Sequence, residues 1–115
     1  MQIQPLQIVD FAEQIEGTTG PYSNIPIALV NNHVVRMSVM TEAYFWHYHP
    51  NSDESFMVIE GSIFIDLEDR TVELHPGQLF TIPKNVNHRT RPNGLCAGQR
   101  LAQMGRLVAL GQARP

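Results

Sequence analysis

The chain has 115 residues and a mass of 13.0 kDa, the size of one domain with enough surface to bury for a real core. Hydrophobic residues at 43% and charged residues at 17% exclude a disordered chain. The net charge of −3 and the scattered basic residues exclude a nucleic-acid binder.

The elements follow in chain order. IVDFAEQIE reads as a short helical turn, with Asp10 as the N-cap and Glu13 three residues on. GTTGPYSNIP is rich in turn residues and reads as irregular, so residues 1–30 are expected to form an arm. Two-residue alternation then begins. HVVRMSVM predicts a strand with Val35, Met37 and Val39 on one face, and FWHYH, FMVIE, SIFIDLE, TVELH and LFTIP predict five more. Tight turns separate them, among them Glu60-Gly61, His75-Pro76-Gly77 and Pro83-Lys84-Asn85. Many short strands at regular spacing imply an antiparallel sandwich or barrel, with residues 31–92 as its core. The tail, 93–115, lacks alternation. Leu101, Met104 and Val108 fall at helical spacing while Gly98, Gly105 and Gly111 weaken a helix, so the tail is expected to be irregular or a short helix, with a closing strand as the other reading. One cysteine, Cys96, excludes an intramolecular disulfide and fits a reducing compartment. No apolar run is long enough for a membrane helix, and the amino-terminal stretch has no secretion pattern, so the expected location is cytoplasmic.

The chemistry concentrates in His47-Tyr48-His49-Pro50-Asn51-Ser52-Asp53-Glu54. On a strand, residues two apart share a face, so His47 and His49 project together. The Pro50–Asp53 stretch turns the chain and Glu54 returns beside the two imidazoles. Phe56 and Val58 share the parity of Glu54 and should line the same interior. Downstream, a Pro-led turn from Pro83 presents His88 across the barrel. Three imidazoles and a carboxylate suit one divalent first-row metal: Fe, Mn, Co, Ni, Cu or Zn.

These residues resemble the cupin superfamily. His47, His49, Glu54 and Gly61 stand at the spacing of the first cupin motif, and Gly77, Pro83 and His88 at that of the second. The likeness covers about residues 33–92. The chain departs from the pattern at Thr41, Asn85 and Pro92, none of them a donor, and Asn at 85 tolerates the left-handed turn conformation that the usual glycine adopts. The resemblance implies an all-β jelly-roll barrel, a small single-domain member of the mannose-6-phosphate isomerase-like type, with His47, His49, Glu54 and His88 as metal ligands.

The resemblance also implies a choice of functions. A metal-dependent enzyme of the oxygenase or isomerase type, acting on a small organic molecule, with an anionic one among the readings, is the leading expectation. A non-catalytic metal-containing binding protein and a structural metal site in a dimerising domain are the alternatives. Phe45, Phe56 and Val58 share the inward parity and are expected to line the substrate pocket; their apolar character leaves no obvious general base. All 11 acidic residues lie at or before Glu73, where only Arg36 and Arg70 are basic. That division predicts neutralisation between strands or subunits, with an anion clamp of Arg89 and Arg91 at the pocket mouth as the sharper alternative. Apolar Ile3, Leu6, Ile8 and Phe11 in the arm predict a homodimer.

Overall fold

A computed structural model describes residues 4–16, 22–31, 33–93 and 101–108. Among the described residues, helix α1 (Phe11–Glu16) is followed by eight strands: β1 (Tyr22–Val30), β2 (His33–Met40), β3 (Glu54–Glu60), β4 (Ile63–Leu67), β5 (Thr71–Leu74), β6 (Leu79–Ile82), β7 (His88–Pro92) and β8 (Leu101–Val108). They form two antiparallel sheets, ordered β1-β2-β8-β3-β6 and β5-β4-β7. This is an all-β jelly roll, as expected.

Strand parity builds the interior. Phe56 and Val58 on β3, Ile63 and Ile65 on β4, Met40, Leu74 and Ile82 are buried in one cluster between the sheets, with Leu67 and Phe80 packed against it. A second cluster joins Ile27, Met37 and Val39 to Ile25, Val35, Ile59 and Phe11. Met37 and Val39 have the opposite parity to Met40, so this cluster occupies the other face of the five-stranded sheet, with α1 covering part of it. The cap of α1 is the one expected: Asp10 Oδ1 accepts from the backbone N–H groups of Ala12 at 2.9 Å and Glu13 at 3.3 Å.

Three expectations need correction. The arm is shorter than residues 1–30, because Tyr22–Val30 is β1, paired along β2. Its turn-like sequence is accommodated by a register shift between Pro26 and Ala28 at the edge of the sheet, where a proline is tolerated. The tail is neither irregular nor helical over Leu101–Val108. It forms β8 between β2 and β3, where backbone bonding on both sides overrides weak local preference. FWHYH is not a regular strand. Residues 44–49 follow β7 through separate bonds, Tyr44 N–H to the Thr90 carbonyl at 2.9 Å and a reciprocal pair between His47 and His88 at 2.9 Å. Cys96 lies outside the described residues.

The turns carry the backbone signals seen in the sequence. Gly77 has φ 83° and donates its N–H to the Val58 carbonyl at 2.9 Å. Among the described residues nothing lies within 4 Å of where its Cβ would stand, so the backbone angle rather than space selects glycine. Asn85, at φ 69°, adopts the left-handed conformation that glycine supplies in the motif.

Candidate metal centre

Four donors from three elements converge. Two come from the segment before Pro50, one from the first residue of β3 and one from the first residue of β7. Two bonds from backbone N–H groups bring the intervening loops together: Lys84 N–H donates to the Asp53 side chain at Oδ1, 2.9 Å, and Asn85 N–H to the His49 carbonyl at 2.8 Å. The left-handed turn at Asn85 therefore sits directly on the backbone of a donor residue. One donor atom from each of His47, His49, Glu54 and His88 lies within 4.8 Å of the others.

Each donor has a defined orientation. His47 Nδ1 donates to the Phe45 carbonyl at 2.7 Å, and His88 Nδ1 to the Val86 carbonyl at 2.9 Å. A carbonyl only accepts, so the proton on Nδ1 is fixed and Nε2 of each ring faces the cluster. Such partners hold a ring in ligating orientation. Glu54 Oε1 lies 2.8 Å from His88 Nε2, and Oε2 lies 3.3 Å from His49 Nε2. Burial pushes the Glu54 carboxyl up, but the hydrogen bonds and charges of His49 and His88 outweigh it and hold the group at about 2. Burial lowers the His47 pKa, opposed by its bond to the Phe45 carbonyl and reinforced by His88 and His49. A neutral imidazole is the form that ligates a metal. Three imidazoles, one ionised carboxylate and two carbonyl-oriented rings fit a first-row divalent ion.

The surroundings divide the other candidate residues. Phe56 is buried and its ring centroid lies 6.2 Å from that of His88, so it walls the cluster. Val58 is fully buried in the core two residues along the same face. Phe45 is a correction: it is 78% exposed, and only its carbonyl serves the site. With the segment lacking a continuous ladder, strand parity does not extend back to residue 45.

Arg89 and Arg91 are the second correction. They alternate with the buried His88 and Thr90 and leave the barrel on its outer face, where both embrace the buried carboxylate of Asp66. Oδ2 accepts Arg89 Nε at 3.0 Å, Arg89 Nη2 at 2.8 Å and Arg91 Nε at 2.8 Å; Oδ1 accepts Arg91 Nη2 at 3.1 Å and Thr71 Oγ1 at 2.7 Å. The two arginines form no clamp at the pocket mouth; they neutralise an acid of the neighbouring strand β4, the leading expectation from the division of charge along the chain. Arg91 holds the Asp66 carboxyl well below the usual range against the opposing effect of burial, and Thr71 and Arg89 reinforce it. Arg89 also stands 5.3 Å above the Trp46 ring, so the Asp66 cluster grips the residue next to His47. Sequence reasoning missed Asp66, and no local signal marks it.

Fold and donors together define a jelly-roll protein with a cluster compatible with a metal site. The cupin domain profile matches residues 34–95, and the chain belongs to the cupin family. It is 46% identical over 71 residues to the protein YdbB of Bacillus subtilis, covering 61% of this chain and 63% of that one. It is 42% identical over 48 residues to polyketide synthase CurC of Streptomyces cyaneus, covering 42% of this chain and 31% of that one. The chain thus spans less than two thirds of the length of these curated relatives. Among solved structures, a cupin-2 domain protein of Shewanella frigidimarina superposes with a TM-score of 0.76 at 25% identity, over 86% of this chain and 92% of that one.

Proposed function

We propose that the protein is a metal-dependent cupin enzyme of the oxygenase or isomerase type, acting on a small organic molecule. The observation that carries this reading is the convergence of His47, His49, Glu54 and His88 within 4.8 Å. These four residues would hold one divalent ion chosen from Fe, Mn, Co, Ni, Cu and Zn, which when bound supplies Lewis-acid polarisation or a centre for O₂ chemistry. Glu54 provides the negative charge that offsets the ion. The Phe45 and Val86 carbonyls hold two rings in register, and Phe56 keeps water from one side. The inward side chains beside the donors, Phe56, Val58 and Ile82, are apolar and offer no acid or base of their own, which favours chemistry centred on the metal. Because Arg89 and Arg91 are engaged by Asp66, a phosphorylated or carboxylate substrate has no partner in them.

The protein works as a homodimer in this reading. Leu6 and Ile8 are almost fully exposed, Leu6 shares a groove with the exposed Leu29 of the edge strand β1, and Val30 is exposed too, apolar surface that a second copy would cover. Metal analysis after chelation and reloading tests the centre. The wild type should bind one equivalent, and His88→Ala should lose most of it; undiminished metal in His88→Ala overturns the assignment.

A further inference from the structure

A cleft of about 390 Å³ opens where the β4–β5 turn approaches β6 and the loop after it. It lies at the seam between the sheets: β6 is the edge of the five-stranded sheet, and the turn belongs to the three-stranded one. Its walls are Leu67, Phe80, Ile82, Pro83 and Val86. The strand register ties this cleft to the donor cluster. Leu67 is the cross-strand partner of His88, and Ile82 is the partner of Glu54. Directly opposed residues share a face with Cβ atoms about 4.5–5.5 Å apart, so two walls of the cleft stand beside two of the four donors.

We propose that this cleft binds a small, uncharged, ring-bearing organic molecule and directs it toward the donor cluster past Leu67 and Ile82. The delivery step rests on the metal-centre reading; the binding step does not. The volume lies near the lower end of the range of about 300–1,000 Å³ for small-molecule pockets, which suits one or two rings. Aliphatic walls with one aromatic face, Phe80, favour a flat apolar body. The rim selects against anions. Among the described residues its one guanidinium, Arg70, already bonds Asp69 at 3.2 Å, and Glu68 adds a second carboxylate. Arg89 and Arg91 bind Asp66 on the outer face of the barrel.

The test uses 2-naphthol and its anionic counterpart 2-naphthoate, titrated calorimetrically into the metal-free protein and into protein loaded with Co(II). 2-Naphthol should bind at least about tenfold more tightly than 2-naphthoate, because the acid must leave water for an apolar site rimmed by carboxylates. Val86 is 36% exposed at the mouth, so Val86→Glu should fold normally and weaken 2-naphthol binding. In the Co(II) protein, 2-naphthol should shift the visible absorption of the metal. Equal affinity for the two probes, or unchanged affinity in Val86→Glu, overturns the cleft. An unshifted Co(II) spectrum with 2-naphthol bound overturns the link to the donors. If Co(II) does not bind while 2-naphthol binds in a Val86-dependent way, the cleft stands and the metal-centre reading falls.

Discussion

Asp66→Asn is the substitution whose cost follows most directly from the structure. It keeps the shape of the side chain but replaces one acceptor oxygen by an amide that donates. Five hydrogen bonds end on the carboxylate, four of them from guanidinium groups. Bonds to charged groups contribute about 1.5–3 kcal/mol each, so simple addition would exceed 7 kcal/mol. Addition overstates the loss here. The Arg89 and Arg91 side chains are 34% and 35% exposed and regain water when released, and all these bonds share one carboxylate. A loss of about 2–4 kcal/mol remains, overlapping only the lower part of the range of about 3–5 kcal/mol for fully buried pairs. For a chain of this length that lowers Tm by about 8–15 °C. The acid dependence is a sharper test. A carboxyl whose folded pKa is depressed contributes stability that is complete above its unfolded pKa of about 3.9 and is lost as pH falls toward the folded value. The gap between wild type and Asp66→Asn should be constant from neutrality to about pH 5, then close by about 1.4 kcal/mol per unit below about pH 4. Urea unfolding at a series of pH values measures it. A gap that persists undiminished to pH 2.5, or a neutral-pH loss below about 0.5 kcal/mol, refutes this account of the cluster.

The other predictions use the same logic elsewhere. Gly77→Ala should cost about 1–2 kcal/mol in urea unfolding through its left-handed backbone angle alone, since no atom of the described residues obstructs a methyl group; a change near zero contradicts that origin. Trp46 is the single tryptophan, so its fluorescence reports the grip of Arg89. Arg89→Ala should shift the emission to the red and weaken metal binding by loosening the His47 segment, and an unchanged spectrum argues against the stacking contact. Light scattering should give twice the 13.0 kDa chain mass, and Leu6→Asp with Ile8→Asp should reduce it to one chain; a monomeric wild type sinks the dimer.

Local chemistry determined much of this protein before folding is considered. The spacing of His47, His49 and Glu54 brings their donors together because side-chain parity and one tight turn act over a few bonds. The helix cap at Asp10, the glycine at Gly77 and the left-handed Asn85 were legible for the same reason: each answers a requirement of its own backbone. What only the tertiary structure decided involves partners remote in sequence. Asp66 lies 23 residues from Arg89 and 25 from Arg91, and only the β4–β7 register decides between neutralisation across strands and an anion clamp. The segment Leu101–Val108 became a strand because β2 and β3 offer backbone partners on both sides, whatever its one glycine, Gly105, prefers. Phe45 faces solvent because its segment meets β7 at separate points rather than in a continuous ladder, so the alternation that places His47 and His49 stops short of it. Short-range signals act through the covalent chain and survive in any context, whereas strand neighbours and charge partners are chosen by burial and register across the whole barrel.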